Sequence, residues 1–263
     1  MKIETDVLII GGGFAGVGTA QDLAKNGIKS TLVDKKDYFE VTFANLRNLT
    51  DPSKNKNRAR KYYKDFLKSD FIQTSVNSLN NQEAELSNGD LVRFKRAIIA
   101  SGTRYPSMSV AKSNHALTLN QRNQEFVEQH ENLKNADSVL VIGGGVVGVE
   151  LAGEIASAFP DKKVTLSHSG RALLDGFKQK AQIKAQQQLM KQGVSIEFNR
   201  RYQEQNDYYI DLKSGQKSHA DLTFEAVGAV PNNAFLKPYL TDILNAKGLV
   251  KVDEKFTVKG HTN

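Results

Sequence analysis

The sequence contains no cysteine among its 263 residues and no long apolar run. Without cysteine, the chain has no thiol nucleophile, no disulfide redox pair and no cysteine-based metal site. No stretch approaches the ~18 uninterrupted apolar residues that a membrane-spanning helix needs. The N-terminus also lacks the pattern of a cleaved signal peptide, because Met1 leads directly into a strand pattern that contains Glu4 and Asp6. We therefore expect a cytoplasmic protein.

The composition is typical of a soluble globular protein. Hydrophobic residues make up 39% of the chain and charged residues 25%, and the mean hydropathy is −0.46. A chain of this length allows about two domains.

Basic residues outnumber acidic ones by 36 to 29, which gives a formal net charge of +7. Much of the excess lies in residues 54–68, KNKNRARKYYKDFLK. The run contains Lys54, Lys56, Arg58, Arg60, Lys61, Lys64 and Lys68 against Asp65. Two interpretations stay open: the solvated face of a helix, or a patch that contacts an anionic membrane or a nucleotide phosphate. Nucleic acid is not an expected partner, since no nucleic-acid-reading motif accompanies the charge.

Two glycine-rich motifs, IIGGGFAGVGTAQD and VIGGGVVGVELAGE, recur at an offset of 132 residues. Each follows a β-branched apolar run, VLII (7–10) or VLVI (139–142), which predicts a buried parallel strand. Each opens a predicted helix, 15–26 or 147–158, and a further strand follows, KSTLVD or KKVTLSH. The aligned glycines are Gly11, Gly13 and Gly16 in the first copy and Gly143, Gly145 and Gly148 in the second.

The repeat extends beyond the glycine motifs. QTSVNSL, EAELSNGDLVRF and RAIIASGT predict short strands that return to the first sheet, and VSIEFNR, YYIDLKSGQKS and DLTFEAVG repeat that order. The segments 123–135 and 177–193 predict ordinary packing helices. The predicted fold class is therefore α/β, with two Rossmann-like dinucleotide-binding domains, each a parallel sheet with helices and a small antiparallel meander. The predicted domains are 1–112, 113–232 and a return segment, 233–263.

Such a motif has a direct physical logic. The first glycine permits a tight turn, the second lets the backbone approach a pyrophosphate, and the third lets helix and strand pack closely. Free N–H groups at the start of the helix then hold the phosphates. Two units in series predict two bound dinucleotides.

The residue that would contact the ribose differs between the copies. Asp34 ends the first strand and is placed to accept hydrogen bonds from a ribose diol. The equivalent second strand ends Ser167-His168-Ser169, without a carboxylate and with Arg171 nearby. We therefore expect the second site to accept NADPH as well as NADH. His168 is either part of that site or an exposed residue without a role.

Five longer stretches carry a resemblance to a known family: LVDKKDYFEVTFANLR (32–47), AIIASGT (97–103), VIGGGVVGVELAGEI (141–155), FPDKKVTLSHS (159–169) and KGLVKVDEKFTVKGHTN (247–263). With the glycine motifs, they resemble the two-dinucleotide-binding flavoproteins of the pyridine nucleotide–disulfide oxidoreductase superfamily. Within it, the likeness is to the apoptosis-inducing-factor-like and ferroptosis-suppressor-like branch, related to type II NADH dehydrogenases.

The resemblance implies FAD in the first copy and NADH or NADPH in the second, without a metal. The residues implied for FAD are Gly11, Gly12, Gly13, Phe14, Ala15, Gly16, Asp34, Lys35, Arg47, Val76, Ala100, Ser101, Gly102 and Thr103. Those implied for NAD(P)H are Gly143, Gly145, Val146, Val147, Gly148, Glu150, His168 and Gly228.

Glu150 stands where the first copy has Gly18. The resemblance implies that Glu150 orients the nicotinamide carboxamide for hydride transfer, which makes it the candidate catalytic residue. The alternative is a solvent-facing helix carboxylate. For Gly18, we expect crowding by the flavin phosphates and the backbone.

The implied activity is an FAD-dependent oxidoreductase that passes a hydride from NAD(P)H to the flavin and electrons to a quinone-type acceptor. The alternative is an NADH-sensing flavoprotein that acts through partner or membrane binding with slow turnover. A thioredoxin reductase is disfavoured by the missing cysteines. In the family, a further strand, a Gly-Asp pair that contacts the FAD pyrophosphate and a C-terminal domain follow the segment that ends at Asn263. Two interpretations stay open: the sequence is a fragment, or the natural protein lost that half.

Overall fold

The computed structural model describes residues 1–53 and 56–261. Within them, six strands of the first half form one sheet of order β5-β2-β1-β8-β7-β6, and β3 and β4 form a separate two-stranded antiparallel sheet. The strands are β1 (Lys2–Ile10), β2 (Ser30–Asp34), β3 (Tyr38–Glu40), β4 (Arg60–Tyr62), β5 (Asp70–Gln73), β6 (Val76–Leu79), β7 (Glu83–Leu86), β8 (Leu91–Ile99) and β9 (Thr103–Arg104). Strands β5, β2, β1 and β8 are parallel to one another, and β6–β7–β8 form the predicted antiparallel meander.

Strand β8 corrects the prediction that LVRF and RAIIASGT belong to two strands. It is continuous, and it pairs with β1 from Lys2 opposite Leu91 to Ile10 opposite Ile99. At the junction of the two segments, Lys95 is exposed and forms an ion pair with Asp6 of β1 at 2.6 Å. A charged residue on the open face of a strand does not interrupt its ladder.

The second half contains a four-stranded parallel sheet of order β12-β11-β10-β16 and a three-stranded antiparallel meander, β13-β14-β15. Its strands are β10 (Ser138–Ile142), β11 (Lys163–His168), β12 (Ser195–Phe198), β13 (Tyr202–Gln205), β14 (Tyr208–Asp211), β15 (Lys217–Ser218), β16 (Leu222–Glu225) and β17 (Val230–Pro231). The segment VSIEFNR therefore forms a parallel edge strand, which corresponds to β5 of the first half.

The helices are α1 (Phe14–Lys25), α2 (Asn45–Thr50), α3 (Lys56–Ala59), α4 (Leu119–Asn135), α5 (Val146–Ala158) and α6 (Gln179–Lys191). Helices α1 and α5 follow the glycine turns, as the repeat predicted. Helix α4 begins earlier than predicted, because Thr118 and Gln121 form a capping box: the Thr118 hydroxyl accepts from the Gln121 N–H at 3.2 Å, and the Gln121 side chain accepts from the Thr118 N–H. This pattern of Thr and Gln three residues apart is a readable start signal.

The basic run does not form one helix, so the helix-face interpretation of residues 54–68 is wrong for its described part. Positions 54 and 55 lie outside the described residues, and the rest forms α3, β4 and a 3-10 turn at Tyr63–Asp65. Arg60 is buried, with its guanidinium 4.6 Å from the centre of the Phe126 ring. Arg58 and Lys61, by contrast, are exposed. The predicted contact with an anionic membrane stays a prediction.

The halves share one hydrophobic cluster. Leu46 and Leu49 of α2 pack with Leu151 and Ile155 of α5, so a helix from the first half lies on the helix of the second glycine turn. The segments that connect the halves also pair, through β9 and β17. The domain boundaries at 112/113 and 232/233 stay predictions. None of the helices among the described residues is long and apolar enough to cross a membrane.

Candidate functional site

The first glycine turn packs helix α1 onto β1 at a distance that only glycine permits. Gly11 follows β1 with φ +106°, and a β-carbon there would lie 2.5 Å from the carbonyl oxygen of Ala100. A β-carbon on Gly16 would press into the carbonyl oxygen of Gly11. The turn therefore brings the N-terminus of α1 directly to the carboxyl ends of β1 and β8.

The peptide groups of Gly12 are held on both sides. Its N–H donates to Asp34 Oδ2 at 2.6 Å, and its carbonyl oxygen accepts from the Tyr63 hydroxyl at 2.7 Å. The first intrahelical bond runs from the Val17 N–H to the Gly13 carbonyl, so the N–H groups of the first turn of α1 have no intrahelical partner. Such groups carry the partial positive charge of a helix N-terminus and favour an anion.

A cavity of about 510 Å³ opens over this turn, within the ~300–1,000 Å³ of small-molecule and cofactor sites. Most residues predicted for FAD line it: Gly11, Gly12, Gly13, Phe14, Ala15, Asp34, Lys35, Val76, Ala100, Ser101, Gly102 and Thr103. Gly16 lies behind the turn, against Gly11.

The cavity wall also contains charged residues that the sequence interpretation left out. Burial lowers the pKa of Lys36 to about 8, although the charge of Glu40 opposes the shift. Burial likewise lowers the pKa of Lys112, whose amino group donates to the Thr103 carbonyl at 2.6 Å. Lys36 and Glu40 lie inside the stretch 32–47 that carried the resemblance, and this position is their signal in the sequence. Nothing local marks Lys112.

Arg47 is not among the residues that line this cavity. Its guanidinium donates twice to Glu154 Oε1, at 3.0 and 2.8 Å, and its side chain is 61% exposed. The bond links α2 to α5. The flavin contact implied for Arg47 stays a prediction.

The second glycine turn repeats the first with different partners. Gly143 has φ +118°, and a β-carbon on Gly148 would press into the Gly143 carbonyl. The Gly144 N–H donates to His168 Nδ1 at 3.2 Å, and the Gly144 carbonyl accepts from the Leu174 N–H at 2.8 Å. His168 thus occupies the place of Asp34 and is 14% exposed, which excludes the interpretation of an exposed residue without contacts.

The other residues predicted for this site lie around the start of α5. Val146 is exposed and Val147 half-buried in the first helical turn, and Gly145 precedes them as the N-cap. Gly228 has φ +120° in the segment that returns to the first half.

Glu150 and Gly18 occupy the same place in the two helices. Glu150 is exposed, and its pKa is raised by partial burial and by the charge of Glu154, while Arg47 lowers it. A β-carbon on Gly18 would meet nothing within 4 Å, so the predicted crowding by the backbone is wrong. Gly18 instead faces a second cavity beside Phe14 and Phe39.

Comparison with known proteins identifies the family. The model of the pyridine nucleotide-disulphide oxidoreductase family matches residues 5–263. This chain belongs to that family. It is 31% identical to ferroptosis suppressor protein 1 of Xenopus tropicalis, over 98% of this chain and 71% of that protein. It is 27% identical to apoptosis-inducing factor homolog A of Dictyostelium discoideum, over 98% of this chain and 68% of that protein.

Solved structures agree on the fold. An NAD-dependent persulfide reductase from A. fulgidus superposes with a TM-score of 0.77 at 20% identity, over 97% of this chain. The chain spans about half the length of that protein, 51%. The predicted fold class and family resemblance are therefore confirmed. Members of the family use FAD and NAD(P)H, which confirms the predicted cofactors. The roles of the individual site residues stay predictions.

Tyr63 gives the first test of the FAD site. Its side chain is buried, and burial raises the pKa of its hydroxyl well above the ordinary value, so the group remains a donor to Gly12. Tyr63→Phe removes only this hydrogen bond, worth about 1 kcal/mol. We expect FAD to bind about fivefold more weakly, measured by quenching of flavin fluorescence. Tyr62→Phe, at an exposed hydroxyl bonded to Asn120, is the control and should bind FAD normally. Unchanged affinity in Tyr63→Phe would contradict the positioning role.

Proposed function

We propose that this chain binds FAD and NAD(P)H in an oxidoreductase that transfers electrons from the nicotinamide through the flavin to a quinone-type acceptor. The observation that carries the proposal is the packing of α2 on α5. The residues just before α2 include Thr42, which lines the first cavity, and α5 starts at the second glycine turn. This contact supports an arrangement in which the two nucleotides meet between the halves.

The residues around the first cavity fit FAD. Gly12 and Gly16 leave no room for side chains, and the free N–H groups of α1 suit a pyrophosphate. Lys36 and Lys112 add positive charge in the wall. Glu40 Oε2 is buried and has no hydrogen-bond partner among the described residues, so a cofactor hydroxyl would satisfy it.

The residues of this chain then act by binding and orientation. Bound FAD supplies the hydride acceptor and the two-electron store, which no protein side chain provides. In this proposal, Asp34 would accept from the ribose, while the turn at Gly11–Gly13 and the start of α1 would hold the phosphates; all of them line the first cavity. Glu150, on the exposed side of α5 facing Arg47 and Glu154, orients the carboxamide of the nicotinamide.

The lack of cysteine excludes one route by which electrons could leave the flavin. None of its residues is cysteine, so electrons do not leave the flavin through a disulfide of this segment. A quinone can accept two electrons directly at the flavin.

The test is to reduce the FAD-loaded protein with NADH and then add a soluble quinone. Rapid return of the oxidised flavin spectrum is expected. A reduced spectrum that persists would contradict the quinone and would support the alternative, an NADH sensor with slow turnover.

Glu150→Gln tests the orienting role directly. The change keeps the shape and removes the charge, so one oriented hydrogen bond weakens by about 1 kcal/mol, a several-fold effect on rate. We expect the rate of flavin reduction by NADH to fall several-fold, with flavin content per protein unchanged. Glu131→Gln on α4, an exposed residue paired with Lys134, is the matched control. Equal rates of flavin reduction in the two variants would contradict the role of Glu150 in orienting the nicotinamide.

A further inference from the structure

The segment between β11 and α6 is fixed against the second glycine turn. The Leu174 N–H donates to the Gly144 carbonyl at 2.8 Å, and the Gln182 side chain of α6 donates to the Leu174 carbonyl at 3.2 Å. Leu174 has φ +55°, a conformation that costs a non-glycine residue free energy and persists only where the surroundings impose it. The next residue in the chain, Asp175, is therefore held in place although its side chain is 67% exposed.

The His168 ring connects Asp175 to the glycine turn. Nδ1 accepts from the Gly144 N–H, so in the neutral ring the hydrogen is on Nε2, which faces Asp175 Oδ2 at 3.3 Å. Gly170 leaves the space that this pair needs, because a β-carbon there would lie 2.7 Å from His168 Nε2 and 2.9 Å from Asp175 Oδ2. The contact is thus supported from three sides, by Gly144, Gly170 and Leu174.

The first site offers a direct comparison. There, the Asp34 carboxylate contacts the second glycine of the turn directly, through the Gly12 N–H. In the second site, an imidazole ring takes that position and a carboxylate follows at the outer edge of the ring. The acidic group that the strand end lacks is therefore supplied seven residues later in the chain.

We propose that Asp175 is the residue that selects the coenzyme in the second nucleotide site: its carboxylate accepts from the adenosine ribose hydroxyls of NADH and repels the 2′-phosphate of NADPH. The inference rests on the proposed NAD(P)H site and deepens it. It differs from the expectation, drawn from Ser167-His168-Ser169 and Arg171, that the site accepts NADPH as well as NADH.

The nearby cations determine how strong the preference becomes. The Arg200 guanidinium forms an ion pair with Asp211, at 2.9 Å, and donates to the Ser214 hydroxyl. Arg171 is exposed in the same segment as Asp175 and would favour a 2′-phosphate. Lys178 is exposed in the same segment and adds to this effect. The measured preference is therefore the balance between Asp175 and these cations: removing the Asp175 carboxylate should shift it towards NADP⁺, and removing Arg171 should shift it towards NAD⁺.

The experiment measures Kd for NAD⁺ and NADP⁺ by calorimetry with the FAD-loaded chain, since the oxidised nucleotides bind without reducing the flavin. The wild type should bind NAD⁺ more tightly. Asp175→Asn should lower the ratio of Kd for NADP⁺ to Kd for NAD⁺ about tenfold, or 1.4 kcal/mol. Arg171→Gln should raise that ratio. Asp207→Asn, which removes the same charge in the turn between β13 and β14, should leave it unchanged.

The outcomes separate the inference from the function on which it rests. If neither nucleotide binds the wild type, the second nucleotide site itself is wrong, and the inference falls with it. If NAD⁺ binds but Asp175→Asn leaves the ratio unchanged, the function stands and Asp175 has no part in selection. A wild type that prefers NADP⁺ would also overturn the inference.

Discussion

Gly16→Ala should abolish tight FAD binding, whereas Gly18→Ala, two residues further along the same helix, should leave it intact. The β-carbon that alanine adds at position 16 would press into the Gly11 carbonyl, so one of the two backbone segments must shift. Gly11 is itself tied to β2 by its N–H, which donates to the Val33 carbonyl at 2.8 Å. Overpacking of this kind costs about 1–3 kcal/mol, and the upper end applies where the clash is with backbone.

The loss should appear in binding more than in folding. Relief of the clash requires α1 to move away from β1, which displaces the N–H groups that would hold the pyrophosphate. A displacement that removes one or two such bonds lowers affinity by about ten- to a hundredfold. At Gly18, by contrast, an added β-carbon would have no neighbour within 4 Å. Alanine there should raise the free energy of unfolding by about 1 kcal/mol through helix propensity.

The two variants should be compared by FAD titration and by urea denaturation of the FAD-free protein. We expect Kd for FAD to be much larger in Gly16→Ala than in Gly18→Ala. Relative to the wild type, Gly16→Ala should lower the free energy of unfolding and Gly18→Ala should raise it. Equal FAD affinity in both variants would show that the close contact of α1 and β1 is not what forms the site. Each variant carries one glycine-to-alanine change in α1. The two variants therefore have the same composition and the same helix length.

The sequence could predict the parts of this site that depend on short, continuous stretches of the chain. The turn at Gly11, the strand end at Asp34 and their counterparts in the second copy follow from short motifs with fixed spacing, and the structure brings them together. Gly18 shows the limit of such inference. Its alignment with Glu150 is correct, but the space around it depends on Phe39 and other residues distant in sequence.

The residues that sequence missed act through contacts between distant segments. Lys112 reaches Thr103 and Asp175 reaches His168 only because loops fold back on the glycine turns. Helix α4 was predicted as ordinary packing, and its pattern gives no sign that Arg122 points into a buried polar network. Hydrophobic periodicity identifies the buried face of a helix. It gives no information about the role of a charged residue on that face.

Arg122→Met should destabilise the protein by about 3–5 kcal/mol, the cost of removing one partner from a buried ion pair. The Arg122 side chain is fully buried, and its Nε donates to Glu40 Oε1 at 2.7 Å. The other guanidinium nitrogens donate to the carbonyls of Ser109 and Val110 and to Glu125, at 2.8–3.0 Å. Methionine fills much of the volume but satisfies none of these acceptors.

The same change should weaken FAD binding, because Arg122 joins two parts of the cavity wall. Glu40 lines the cavity, and Ser109 and Val110 lead directly to Lys112 on its other side. Without the guanidinium, the buried Glu40 carboxylate loses its hydrogen-bonded counter-ion and keeps only the more distant charges of Lys36 and Arg60, so it must draw in water or move. Both responses disturb the cavity wall, so a lower FAD content should accompany the lower stability.

A second substitution distinguishes an unpaired charge from lost packing. In Arg122→Met/Glu40→Gln, the carboxylate that lost its hydrogen-bonded partner is gone, so a substantial part of the lost stability should return, because replacing both partners of a buried pair costs far less than removing one. Urea denaturation of the FAD-free single and double variants measures this, with Lys134→Met on the same helix as an exposed control. A double variant no more stable than Arg122→Met would mean that Arg122 acts through its bonds to Glu125 and to the Ser109 and Val110 carbonyls. The ion pair with Glu40 would then contribute little, and the segment that carries Lys112 would be what Arg122 holds in place.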